Sequence, residues 1–414
     1  MPGELTHGHH QIELQCSACH TSPFGGDEVL QDACVTCHAD ELKLALDSHP
    51  KTKFTNPRNA DLVKVLDARY CASCHSEHNP DITRPMGVTH PEDFCVQCHQ
   101  DIGEERETHQ GLGFETCASA GCHNYHDNRA LYEDFLLKHQ DSVTPTDRRQ
   151  LPSELKDYLL SMGTTWEKRT QPSAAAEQVM TDEIHADWLA SAHGQAEVGC
   201  DSCHTNESSG EWIEKPSIEQ CQGCHAAETE GFMAGKHGMR LAAGLSPMTP
   251  AQAHIPMQSA NAHKELTCNS CHGAHEFNRV DASTTACLTC HADDHSKSFF
   301  DSPHGSLWLE VEQGVRPMEE AVSCATCHMP REENTVFGQK VVQVQHNQNA
   351  NLRPNEKMIR PTCMNCHSLS FSIDALADPV LIHNNFNGQP AEHIRSIDMA
   401  VERDQSYQDR LNQP

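Results

Sequence analysis

The sequence is short of the residues that build an ordinary interior. Only 37% of its 414 residues are hydrophobic and 5% are aromatic, which is thin for a chain of this length. No run approaches the eighteen or so apolar residues of a membrane-crossing helix, so no transmembrane segment is expected. Basic residues are half as frequent as acidic ones, 30 against 59, and the formal charge is −29. Such a surface repels nucleic acid and anionic lipid and argues against both as partners. It favours solubility and docking to proteins with basic surfaces. The N-terminus, Met1-Pro-Gly-Glu-Leu-Thr-His-Gly8, lacks the basic and apolar regions of an export signal. No cysteine is left over from the pattern described next.

That pattern uses all 22 cysteines in eleven motifs, each ending in Cys-His. Ten are Cys-x-x-Cys-His: Cys16-Cys19-His20, Cys34-Cys37-His38, Cys71-Cys74-His75, Cys95-Cys98-His99, Cys200-Cys203-His204, Cys221-Cys224-His225, Cys268-Cys271-His272, Cys287-Cys290-His291, Cys324-Cys327-His328 and Cys363-Cys366-His367. The eleventh, Cys117-Ala-Ser-Ala-Gly-Cys122-His123, is wider by two residues. Cys-x-x-Cys-His is the attachment signature of c-type haem. Two thioether bonds hold the porphyrin, and the adjacent histidine is the proximal iron ligand. A zinc site or a thiol redox pair needs no histidine after every second cysteine, and a disulfide framework is not usually laid out in adjacent pairs. The count predicts eleven covalently bound haems and their irons.

Each motif has about 38 residues of chain to itself. The large apolar rings make good the missing core, so the chain is expected to fold around its cofactors, as small metal domains do. The expected fold class is mainly α, with much irregular structure, stacked haems and little β. Haem joins such motifs outside the cytoplasm, so the numbered chain is expected to be a mature or trimmed form located in the periplasm or outside the cell.

Five motifs lie between Cys16 and His123 and six between Cys200 and His367. This spacing suggests a pentahaem module over 1–140, a spacer over 141–180 and a hexahaem module over 181–414 ending in a polar tail. Within the spacer, Pro152 to Gly163 reads as a short helix, with proline near its start and glycine at its end. The tail after Asp374 reads as a surface wrap or a contact with a neighbouring subunit.

Eleven of the 31 histidines are proximal, which leaves 20. His78, His126 and His275 each follow a proximal histidine by three residues. One helical turn cannot carry a side chain to the far face of the same haem, so these should ligate a neighbour. His10, His90, His193 and His263 stand shortly before a motif. His49, His109, His139, His185, His237, His295, His304 and His346 complete the distal candidates, while His7, His9, His254, His383 and His393 have weaker claims. The 13 methionines are alternative axial ligands, but with histidine in surplus each reads as packing. Potentials are therefore expected to be low and spread.

The second segment carries His193-Gly, Gly235-Lys-His-Gly238, Ser302-Pro-His-Gly305, Cys324-Ala-Thr-Cys-His-Met-Pro-Arg331 and Gln345-His-Asn-Gln-Asn-Ala-Asn-Leu-Arg-Pro354. Over residues 181 to 400 it resembles the superfamily of ammonia-forming nitrite reductase and octahaem hydroxylamine oxidoreductase. The first segment resembles a class III-type low-potential multihaem module. The resemblance implies a catalytic haem at the seventh motif, Cys221-Cys224-His225, and makes His346 the match of the reductases' active-site histidine, so His225 and His346 are the catalytic candidates. The departures are a histidine, His225, where the reductases usually carry lysine, and the absence of any tyrosine between Tyr158 and Tyr407 to match theirs. Tyr407, 40 residues past His367, is the only match for the tyrosine that the hydroxylamine-oxidising enzyme cross-links to its haem.

Three functions follow. The first is electron transfer along closely spaced, mostly bis-histidine haems, with redox proteins as partners. The second is a multi-electron oxidoreductase of small nitrogen or sulfur oxyanions at one open haem, with protons supplied by His346, His237, Asp293 or Asp294; the plainer reading of Asp293 and Asp294 is a solvated turn. The third is a homo-oligomer or extracellular conductive filament, in which His7, His9 or His10 ligates the next subunit's haem.

Overall fold

The structure, a computed structural model, describes residues 3–142 and 174–412 apart from 46, 120, 128–132, 207, 337–338 and 353–354. The helix expected over 152–163 lies outside the described residues. Helices dominate and most are short. The longer ones are α1 (Asp27–Leu44), α2 (Glu133–His139), α3 (Asp182–Ala190), α4 (Ala226–Ala234), α5 (Pro303–Glu312), α6 (Leu369–Ala377) and α7 (Ser396–Leu411). Among the described residues the one sheet is an antiparallel hairpin of β1 (Arg331–Val336) and β2 (Gln339–Val344), in register from Arg331 opposite Val344 to Val336 opposite Gln339. No described helix is long and apolar enough to cross a membrane.

The chain divides into two compact units, residues 1–148 with 352–414, and residues 149–351. Motif spacing had placed all six later motifs in one module. Instead the last, Cys363-Cys366-His367, falls in the first unit. The distribution of apolar side chains explains this. Among described residues 3–142 only Ala33 and Leu136 are buried apolar side chains, whereas Met358, Ile359, Leu369 and Ile373 ahead of the tail and Ala375, Leu376, Leu381, Ile397 and Ala400 within it are all buried.

The tail is therefore a packing element and not a polar wrap. Leu369, Ile373 and Leu376 recur at helical spacing and form the buried face of α6. On α7 only Ile397 and Ala400 are buried, which is why its sequence reads as polar. α7 packs against α2 and against the turn Glu107–His109, and Arg403 Nη1 meets Glu133 Oε2 at 2.7 Å. The Arg360 guanidinium lies 3.9 Å from the centre of the Phe135 ring, a cation–π contact.

The second unit has its own core. Ser302 caps α5 by accepting the Gly305 N–H at 3.1 Å, with Pro303 at the first helical position. The cap turns the helix so that Trp308 and Val311 pack with Phe299 and Ala321.

The motifs share one local structure. In eight of them the histidine N–H donates to the C=O of the motif's first cysteine at 2.8–3.0 Å (His20, His75, His99, His123, His204, His225, His291 and His367). His38, His272 and His328 lie within helices. A single helical turn puts positions i, i+3 and i+4 on one side, which presents both sulfurs and the imidazole together. The wide motif reaches the same closure, His123 N to Cys117 O at 3.0 Å, across two more residues of sequence. Gly121 adopts φ +92°, and a Cβ there would stand 2.5 Å from Ile373 Cγ2, so backbone freedom and close packing both favour glycine.

Candidate haem-iron sites

Among the described residues ten proximal histidines are seen to face a second histidine. The pairs are His20–His78, His38–His9, His75–His126, His99–His49 and His123–His109 in the first unit. In the second they are His204–His275, His225–His193, His272–His346, His291–His237 and His328–His295. His367 stacks on Phe371 at 4.8 Å.

Ring-centre separations in the ten pairs lie between 5.9 and 6.4 Å, while interplanar angles run from 14° to 82°. Rings in direct contact lie closer, such as His49 on Tyr125 at 4.4 Å and His204 on Trp212 at 4.6 Å. A metal-bound imidazole nitrogen lies about 2 Å from its metal and the ring centre about 1 Å beyond, so two imidazoles facing each other across one iron have centres about 6 Å apart. Such an axis fixes the separation and leaves rotation about itself free. The pairs have that geometry, and the residues fit haem iron held by two histidines.

The outward nitrogens are tied down. Nδ1 meets the carbonyl of Gly3 from His78 (2.7 Å), of Tyr125 from His49 (2.6 Å), of Gly87 from His75 (3.2 Å), of Ile213 from His204 (2.7 Å) and of Val344 from His346 (2.9 Å). Carboxylates do this for His9 and His38, through Glu77 Oε1 and Glu41 Oε2, both at 2.6 Å. An imidazole donating from Nδ1 carries its lone pair on Nε2, the tautomer a metal needs. Burial and the facing imidazole together hold His193, His237, His272 and His328 at about 4, hence neutral at ordinary pH.

The two five-motif runs are wired alike, which motif spacing alone did not reveal. In each, the first proximal histidine faces the histidine three residues after the third one (His20–His78, His204–His275). The second faces a histidine seven residues ahead of the run's first cysteine (His38–His9, His225–His193). The fourth faces a histidine between motifs two and three (His49, His237), and the fifth one between motifs four and five (His109, His295). The third faces a histidine beyond motif five (His126, His346).

Motif sulfurs also touch in the same order. Cys34 and Cys71, joining motifs two and three of the first run, are in hydrogen-bond contact, as are Cys221 and Cys268 in the second. Cys95 with Cys117, and Cys287 with Cys324, do the same for motifs four and five. With haem attached these sulfurs are thioethers, so each contact marks neighbouring attachment points and not thiol chemistry.

Nine of the distal candidates are thus brought to a proximal histidine: His49, His78, His109, His126, His193, His237, His275, His295 and His346. The tenth partner is His9, where the sequence favoured its neighbour His10; His10 Nδ1 instead meets His7 O at 2.9 Å. The offset of seven residues shared by His9 and His193 was the signal that could have found it. His90 Nε2 is spent on Ser73 O at 2.7 Å, His139 packs on Phe135 and His185 on Trp188. His263 is exposed and His304 half-buried.

The catalytic candidates are rearranged too. His225 faces His193, and His346 is brought to His272 of the eighth motif and not to an open position at the seventh. Asp293 caps a helical turn, accepting the Ser296 N–H at 3.0 Å, and is half-buried with its carboxylate 3.7 Å from His291 Nδ1. His393 is held between Asp374 and Asp398.

Residues 8–100 and 192–292 each match the cytochrome c3 family, and each match spans the first four motifs of one run. Among solved structures the chain is similar to a reducing HAO-like protein complex of Kuenenia stuttgartiensis, at 23% identity over 41% of this chain and 42% of that chain, with a TM-score of 0.28. The chain thus spans under half the length of that protein.

Proposed function

We propose that this multihaem c-type cytochrome carries electrons outside the cytoplasm along eleven covalently attached, mainly bis-histidine haems, exchanging them with redox proteins whose docking surfaces are basic. The observation that carries the reading is the imidazole placed opposite each of ten proximal histidines at iron-spanning distance. Bound haem supplies one-electron exchange between ferric and ferrous iron.

The chain's own residues do the rest. The paired histidines would hold each iron from both sides and keep small ligands out, while carbonyls and carboxylates on Nδ1 fix the orientation of the rings they reach. Touching sulfurs at Cys34–Cys71, Cys95–Cys117, Cys221–Cys268 and Cys287–Cys324 bring successive attachment points together, so no diffusing carrier is needed between them. The net charge of −29 favours basic partners.

Low-temperature EPR of the oxidised protein tests the reading. Low-spin signals that ignore added nitrite, hydroxylamine or cyanide are expected. A high-spin signal of about one haem that shifts with ligand would instead make the protein an oxidoreductase of small nitrogen compounds.

A further inference from the structure

Between motifs three and four of the first run the contacts pass through one aromatic residue. The Tyr125 ring stacks on His49 with centres 4.4 Å apart and planes 13° apart, and meets His126 edge-on at 5.2 Å. His49 and His126 are the imidazoles opposite the proximal histidines of motifs four and three. The backbone binds the same block: His49 Nδ1 meets Tyr125 O at 2.6 Å, and Ser48 Oγ donates to it at 3.1 Å. The Tyr125 hydroxyl is buried, has no hydrogen-bond partner among the described residues, and lies within electrostatic reach of both Cys74 and Cys98, the second cysteines of motifs three and four. In the second run the residue ahead of the equivalent His346 is Gln345, whose side chain accepts from Asn347 N instead.

We propose that Tyr125 is a positioning residue that locks the distal imidazoles of the third and fourth haems into one block, and that its ring is the path by which electrons cross between those haems. The inference rests on the ligation reading above. In the exchange one electron leaves a ferrous iron and reduces a ferric one. No bond forms or breaks, and Tyr125 keeps its proton, since its hydroxyl has no acceptor among the described residues.

The test uses full-length haem-loaded protein carrying Tyr125→Phe or Tyr125→Leu, with Tyr125→Met in reserve should the leucine variant fail to mature. EPR reports the two haems' g-values, and transient absorption after flash reduction by a ruthenium photosensitiser reports redistribution of electrons among haems. Tyr125→Leu is expected to shift two low-spin signals together and slow redistribution several-fold, and Tyr125→Phe, which keeps the ring, to restore both. Unchanged signals and rate in Tyr125→Leu, or a shift confined to one haem, overturns the proposal. His49→Met and His126→Met are the separate control on ligation. If neither changes a low-spin signal, the ligation reading fails whatever Tyr125 does.

Discussion

The two five-motif runs, residues 9–126 and 193–346, solve one wiring problem with different scaffolds. Both place the five facing histidines in the same order and bring the same motif sulfurs together. Yet the first run has almost no apolar interior of its own and borrows one from residues 355–400, whereas the second contains the Phe299, Trp308, Val311 and Ala321 cluster. Ligation geometry is thus set by where histidines fall between motifs, and packing can be supplied from anywhere in the chain. Two cytochrome c3 matches, one per run, sit on the shared part and omit both cores.

The harshest way to break the comparison is to withhold haem. A chain expressed without haem attachment loses the rings that stand in for a core, and ordering each residue still costs about 1–2 kcal/mol of backbone entropy. Hydrogen exchange read by mass spectrometry should find no protected amides in residues 9–126, where Ala33 is the one buried apolar side chain among the described residues. Residual protection is expected in α5 and α6. Protection across the first run of the haem-free chain would mean that its fold does not depend on the cofactors.

A milder cut separates the scaffolds. Trp308 is fully buried in the second unit and Ile373 nearly so in the first. Trp308→Ala should cost about 3–5 kcal/mol and Ile373→Ala about 2–5 kcal/mol, from lost transfer energy and the cavity left behind. Denaturant titration followed by unit-specific exchange should place each loss in its own unit. Ile373→Ala should also loosen the wide motif, because Ile373 packs against Gly121. Equal losses in both units from either variant would sink the idea of separate cores.

Much of this was legible in the residues. The motifs declare the attachment chemistry outright, and four of the ten facing histidines, His78, His126, His193 and His275, stand out by their position relative to a motif; His49, His109, His237, His295 and His346 are candidates only because histidine is in surplus. His9 did not stand out, because His7, His9 and His10 are interchangeable on local grounds. The choice is made by Glu77, 68 residues away, which takes the His9 Nδ1 at 2.6 Å. His90 looked equally well placed, but a hydrogen bond to Ser73 O claims the nitrogen a metal would need. The tail misled for a different reason. A helix such as α7 that buries one narrow stripe keeps a polar average composition, so its burial shows only when its partner α2 is in place.

The smallest effect tests whether that tail matters to the first unit alone. His393 bridges helices, with Nδ1 3.0 Å from Asp374 Oδ2 and Nε2 3.0 Å from Asp398 Oδ2. Two carboxylate acceptors require both ring nitrogens to donate, which only the imidazolium does. The Asp374 and then the Asp398 hydrogen bond raise its pKa above the ordinary value. A raised folded-state pKa means that the contribution is fully present below the unfolded value, about 6.5, and is lost as pH rises through the higher folded one. The side chain is 48% exposed, so screening keeps the contribution to no more than about 1 kcal/mol. Thermal melts at low salt should show a small loss of stability in the first unit as pH rises from mildly acid to alkaline, and His393→Gln should remove that slope without touching the second unit. An unchanged slope in His393→Gln would mean that other groups set it, and that the bridge between α6 and α7 contributes nothing to how the first run is held.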